Sequence, residues 1–233
     1  MVNFNDLKTQ FTVISLAKNS DNIQINFKDS VIRPTTAFHL LGLTISYNLS
    51  WKPHIQQIAK SASAKLGILY RCRPFFTCEQ LLRIYKGLIR PCLEYCSHVW
   101  GGSSSTYLLD RVESKAFRLI NAPLTSQLPP LKLRRDVASL SLFYRYYFGR
   151  CSEELNYCVP GPKNWGRNTR LAASSHEYCV EVCDPRIDRY GSCFFPFTAN
   201  LWNSLPPSTF PPSYDLSSFK SQVYRHLRDI NYQ

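Results

Sequence analysis

The sequence predicts an α+β protein that is mostly helical, on three observations. Apolar and polar residues alternate with period two only within the first 50 positions. After Ser50 the apolar spacing changes to three and four residues, and a proline- and loop-rich stretch from Cys151 to about Thr209 precedes a last amphipathic segment. The expected order is a small N-terminal antiparallel β-sheet or hairpin in residues 1–50, a helical bundle in 51–121, a linker in 122–130, and a helical, loop-rich C-terminal region in 131–233. At 233 residues, with 44% hydrophobic and 14% aromatic side chains, the chain carries enough apolar surface to bury a core.

Taking the elements in order, "TQFTVISL" (Thr9–Leu16) is rich in β-formers, and "NIQINFKD" (Asn22–Asp29) alternates Ile23, Ile25 and Phe27 with polar neighbours. Both read as strands joined by the turn-prone "AKNSDN", and "AFHLLGLTIS" (Ala37–Ser46), after the breaker Pro34, is a third candidate. A sheet of about three strands is expected.

The first helix is marked by Ile55, Ile58, Ala59, Ala62, Leu66 and Leu69, with Pro53 tolerated in its first turn and Lys60 and Lys65 on the opposite face. Thr77 with Gln80 forms a capping-box signature for a second helix that turns Leu81, Leu82, Tyr85, Leu88 and Ile89 inward. Pro91 is expected to bend or break that helix, with the apolar face resuming at Cys92, Tyr95, Cys96 and Val99 before "GGSSS" ends the unit. A third helix over Thr106–Asn121 places Leu108, Leu109, Val112, Ala116, Leu119 and Ile120 inward and Arg111, Lys115 and Arg118 outward. Beyond the linker "APLTSQLPP", the segment "LKLRRDVASLSLFYRYYFGR" has aromatics on more than one face, so part of that set is expected to pack on a neighbour. Phe219, Val223, Leu227 and Ile230 define a final short helix.

Charge narrows the function classes. There are 28 Lys and Arg against 16 Asp and Glu, a net charge of +12 that suits a polyanionic partner. The excess is concentrated: Lys52, Lys60, Lys65, Arg71, Arg73, Arg83, Lys86 and Arg90 have only Glu79 among them. Such cations also occur on any solvated helix face, but the near-absence of acids favours a phosphate backbone. No apolar run is long enough to span a membrane and the N-terminus does not read as a secretion signal, so an intracellular protein of the nucleus or cytoplasm is expected.

The nine cysteines include no Cys-x-x-Cys pair, which argues against a disulfide framework and for a reducing compartment. Cys92, Cys96 and His98, and likewise His176, Cys179 and Cys183, are candidate zinc ligands, but neither spacing is a standard one, and small buried apolar side chains account better for the first set. The histidines His39, His54, His98, His176 and His226 are scattered, and "GPKNWGR" lacks the spacing of a phosphate-cradling loop. No small-molecule substrate is indicated.

Several pieces, in this order, resemble the C-terminal part of the reverse transcriptase of non-LTR retrotransposons, the jockey-like long interspersed elements. "FNDLKTQFTVIS" looks like the family's late-palm motif, "FHLLGLTISYNLSWKPHI" like its Leu-Gly segment with the following Trp and His-Ile, and "LIRPCLEYCSHVWG" like its thumb helix ending in Trp-Gly. "LLDRVESKAFRLI", "LWNSLPP" and "SFKSQVYRHL" are similar to the post-thumb and terminal pieces, so the likeness covers nearly the whole chain.

The resemblance implies that residues 1–50 end a palm with a primer-grip hairpin at Leu40 to Leu43 in which Leu41 and Gly42 are the grip, that 51–121 is thumb-like, and that Lys8 lies near the incoming nucleotide. It makes Lys8, Leu41, Gly42, Lys52, Lys60, Lys65, Arg71, Arg73, Arg83, Lys86 and Arg90 the expected contacts to RNA or RNA–DNA duplex, with low sequence specificity. The family binds two metal ions through an early aspartate and an Asp-Asp pair, because in-line phosphoryl transfer needs cations on the attacking and leaving oxygens. No Asp-Asp dipeptide occurs in this sequence, so the Mg2+ sites of the family are absent and no cofactor is expected. The chain therefore reads as a truncated remnant that binds without catalysis. The alternatives are an active reverse transcriptase whose palm lies upstream, or a protein-interaction module using aromatics such as Tyr146, Trp165 and Trp202; Trp202, in "LWNSLPP", reads first as a core anchor.

Overall fold

The structure is a computed structural model that describes residues 9–14, 23–27, 30–120, 123–125, 128–163, 176–182 and 188–231. It is mostly helical with small antiparallel hairpins near the N-terminus, and the chain divides into two compact units, residues 1–57 and 58–233.

In the first unit β1 (Ile25–Phe27) pairs with β2 (Ser30–Ile32), and β3 (Ala37–Leu40) pairs with β4 (Leu43–Ser46). Among the described residues the expected three-stranded sheet is two separate two-stranded ribbons, and Ala37–Ser46 is a hairpin, not one strand. Pro34, with no N–H to donate, stands between the ribbons. Residues 9–14 form no strand; they are tied on by Thr35 N–H to the Phe11 carbonyl (2.7 Å), by Thr12 Oγ1 to the Thr35 carbonyl (2.5 Å) and by His39 N–H to Gln10 Oε1 (3.1 Å). Two of these three bonds use a side chain, so no backbone ladder is built.

Helix α1 (Lys52–Cys72) begins in the first unit and runs into the second, and it buries Ile55, Ala62, Leu66 and Leu69 as the spacing requires. A single 3-10 turn (Arg73–Phe75) leads to α2 (Cys78–Ile84), whose capping box is complete: Gln80 N–H donates to Thr77 Oγ1 at 3.3 Å and Thr77 N–H to Gln80 Oε1 at 2.8 Å. The helix does not break before Pro91. It widens into a π-turn over Tyr85–Ile89, in which Arg90 N–H reaches back to the Tyr85 carbonyl, and continues as α3 (Arg90–Glu94). The π-turn relieves the clash a proline ring makes with the carbonyl four residues earlier. It also rotates the surface: Leu88, expected inward, is 61% exposed, while Tyr85, Ile89 and Leu93 stay buried.

Cys96, in the left-handed region at φ 51°, separates α3 from the short α4 (Ser97–Trp100). Gly102 follows where backbones meet, since a Cβ there would lie 2.4 Å from the Ser192 carbonyl oxygen and 2.9 Å from Phe197. Helices α5 (Tyr107–Ile120) and α6 (Leu131–Tyr147) come next, then α7 (Asp188–Gly191), α8 (Phe194–Asn203) and α9 (Leu216–Asn231). α6 packs on α3, α4, α5, α8 and α9, and the residues on both sides of 122–130 belong to the second compact unit. Its buried residues, from Leu131 to Tyr144, span more than one face. Phe143 and Tyr144 join Trp202, Phe219 and Val223 in an aromatic core, where Trp202 is fully buried and donates Nε1–H to the Tyr178 carbonyl at 2.7 Å. Ile230, expected inward on α9, is 61% exposed.

Candidate functional site

The β3–β4 hairpin closes with Leu40 opposite Leu43, which leaves Leu41 and Gly42 as a two-residue turn. Both have positive φ, 47° and 80°, as the twist-matched primed turns require. Glycine meets that demand without cost, whereas a leucine in the left-handed region is strained, and this one is 81% exposed at the tip. Behind the hairpin, Thr44 N–H donates to Nδ1 of buried His54 at 3.2 Å, and Thr44 Oγ1 lies 3.2 Å from His39 Nδ1. Burial, with a smaller contribution from His39, pushes the His54 pKa below its ordinary value, which keeps Nδ1 available as an acceptor. Lys52 is exposed in the first turn of α1, and Lys8 lies outside the described residues.

In the second unit Lys60 and Arg71 are exposed on α1, and eleven residues at 3.6 per turn place them on one stripe to within about 20°. Arg73 is exposed on the 3-10 turn, with its guanidinium 4.6 Å from the Tyr70 ring centroid. Arg83 is exposed on α2, while Lys86 in the π-turn and Arg90 at the start of α3 are half-buried. Lys65 differs from the rest: its Nζ lies 2.8 Å from Cys92 Sγ and 3.4 Å from the Leu88 carbonyl, so it ties α1 to the π-turn and α3. The ion pairs among the described residues are Lys132–Asp136, Arg134–Glu94, Arg135–Asp110 and Arg228–Asp229; none uses a cation between Lys52 and Arg90.

Two features escaped sequence reading. The first is exposed aromatic surface where α1 meets α2: Tyr70, Phe75 and Phe76 are 56%, 82% and 40% exposed. The run "RPFFT" before the capping box was the available signal. The second is a buried polar node. Glu113 on α5 accepts from the Tyr85 hydroxyl at 3.2 Å and from Leu131 N–H, the first of α6, at 3.1 Å. The carboxylate thereby satisfies a donor that α6, opened by Pro130, leaves without an intrahelical partner. Burial raises the pKa of Glu113 and, with the adjacent Glu113, raises that of Tyr85. Around this node Arg134 forks onto both oxygens of Glu94, and Arg135 reaches Asp110 at 2.8 Å.

Of the candidate zinc ligands, Cys92, His98 and His176 have other contacts. Cys92 Sγ contacts Lys65 and the Leu88 carbonyl, the His98 ring packs edge-on to Phe194, and His176 Nε2 lies 3.0 Å from the Trp202 carbonyl. Cys183 lies outside the described residues, among which no group of three or more His, Cys, Asp or Glu converges. Tyr146 is half-buried against Phe195 and Trp165 lies outside the described residues. Among the described residues no helix is long and apolar enough to cross a membrane. Comparison with protein-family models, with curated proteins and with solved structures finds no match.

Proposed function

We propose that this chain is a nucleic-acid-binding protein of the retrotransposon-type RNA-directed DNA polymerase kind, which holds RNA or an RNA–DNA duplex by its phosphates and performs no phosphoryl transfer with its own residues. The observation that carries this reading is the set of cations from Lys60 to Arg90 that reach solvent with no carboxylate partner among the described residues. Unpaired arginines and lysines on successive helices suit a repeating anion, and each cation placed on a phosphate releases a condensed counterion. The strained, exposed tip at Leu41 and Gly42 supports a grip role for the hairpin, because backbone strain is retained where close approach to a ligand uses it. With no base-edge reader assigned, sequence preference is expected to be slight. The lack of an Asp-Asp pair removes the metal-binding carboxylates that the parent chemistry uses. Action inside the cell, in the nucleus or cytoplasm, goes with this reading.

Salt dependence tests it. Setting Lys65 aside, Lys60, Arg71, Arg73, Arg83, Lys86 and Arg90 give at most six phosphate contacts in the second unit, hence a log–log salt slope no steeper than about −5. Affinity for a fluorescein-labelled RNA–DNA hybrid, followed by anisotropy, is then expected to fall by up to about 10³-fold between 50 and 200 mM salt. The triple change Lys60→Glu, Arg71→Glu, Arg73→Glu should flatten that slope by about three. Binding indifferent to salt, or unaffected by the triple change, would overturn the proposal.

A further inference from the structure

Phosphate contact leaves the exposed aromatic surface at the α1–α2 junction without a task. The chain path there is closely determined. Phe76 N–H closes the 3-10 turn on the Arg73 carbonyl at 3.2 Å, Pro74 has its backbone φ restricted by its ring, and the Thr77–Gln80 capping box starts the next helix at once. Phe75 is held at the apex, 82% exposed, and among the described residues neither it nor Phe76 has a ring contact with another aromatic. Beside it the Arg73 guanidinium already lies over Tyr70, so one flat cationic surface is stacked in place, and Arg71 is exposed on the last turn of α1. A large apolar ring left in water forgoes its burial free energy, and a ligand that covers this one must also accept the neighbouring cations Arg71 and Arg73.

That combination selects among occupants. A purely apolar partner would cover Arg71 and Arg73 without pairing them, whereas a single-stranded nucleic acid offers π-faces and phosphates in alternation. We propose that Phe75 is a base-stacking residue that receives an unpaired nucleobase of a single-stranded nucleic acid, while Arg71 and Arg73 hold the adjoining phosphates. A duplex keeps its bases stacked on each other and cannot use the ring in this way, so the site distinguishes single strand from duplex, which phosphate contacts alone do not. The inference rests on the nucleic-acid reading above and adds to it a ligand class and a residue.

The test uses the full chain and an oligodeoxythymidylate of about 15 nucleotides with one central 2-aminopurine, read by anisotropy for binding and by 2-aminopurine fluorescence for stacking. Phe75→Ala is expected to weaken single-strand binding by about 5- to 150-fold and to abolish the fluorescence change, with duplex binding altered less than about threefold. Phe75→Trp should retain both signals, and Phe75→Leu, apolar but not aromatic, should behave as Phe75→Ala. Because the side chain is exposed, these variants should melt as the wild type does, which circular dichroism verifies. Full affinity in Phe75→Leu would overturn stacking in favour of simple apolar contact. Salt-dependent anisotropy with no 2-aminopurine change would overturn stacking and leave phosphate binding standing. No anisotropy change with strand or duplex would overturn both.

Discussion

Tyr85→Phe, Glu113→Gln and the double variant test the buried node that joins the π-turn to α5 and α6. Tyr85 is fully buried and Glu113 is 7% exposed, so their 3.2 Å hydrogen bond is shielded from water and its loss is not made good by solvent. Removing only the hydroxyl leaves the apolar packing of the ring, including its edge-on contact with Phe117, and deletes a bond to a carboxylate, at a cost of about 2 kcal/mol. In Glu113→Gln the acceptor is neutral and one amide nitrogen faces a donor; relief of the buried charge offsets part of that loss, and the cost should be about 1 kcal/mol. Tyr85→Phe in the glutamine background should then cost only about 1 kcal/mol, so the cycle gives a coupling of about 1 kcal/mol. Urea unfolding followed by circular dichroism at pH 7 measures all four proteins. A Tyr85→Phe cost below about 0.3 kcal/mol, or a coupling of zero, would refute the hydrogen bond as the link.

The same node has a pH signature whose sign follows from burial. The folded-state pKa of Glu113 is raised, so its contribution is fully present below the unfolded value of about 4.5 and is lost as pH rises through the folded value. Glu113→Gln should therefore be more destabilising at pH 4 than at pH 7.

Three further expectations follow from other positions. Leu41→Asn places a residue that tolerates the left-handed region at φ 47° and should raise thermal stability by about 1 kcal/mol while weakening binding through the hairpin tip; no gain in stability would show that the turn is unstrained. Gly102→Ala drives a Cβ toward the Ser192 carbonyl oxygen at 2.4 Å and should cost about 1–3 kcal/mol by urea unfolding, whereas a neutral outcome would deny the close approach. His176 Nε2 faces the Trp202 carbonyl and so carries the proton, which leaves buried Nδ1 without an acceptor for a second one among the described residues. Its pKa is lowered, chiefly by burial, so its stability contribution is present above about 6.5 and is lost as pH falls through the folded value; His176→Gln should lose less stability than the wild type between pH 7.5 and 5, and equal losses would refute this account.

What could be read along the chain was whatever depends on near neighbours. The buried stripe of α1, the complete Thr77–Gln80 box, and the basic run from Lys52 to Arg90 all rest on spacings of a few residues. Trp202 as a core anchor was legible because a large ring beside a turn must find cover. Tertiary structure decided the rest. The π-turn turned Leu88 outward because Pro91 forced a different hydrogen-bond step, which a fixed helical period does not contain. Lys65, though still exposed, found partners of its own because Leu88 and Cys92 came within reach, and Arg134 found Glu94 across 40 residues of sequence. The exposure of Phe75 was equally a matter of where helices end and which surfaces meet. Local periodicity records which face of an element is apolar; which charges are paired, and which rings stay in water, is settled only when distant elements dock, because those free energies depend on separations in space.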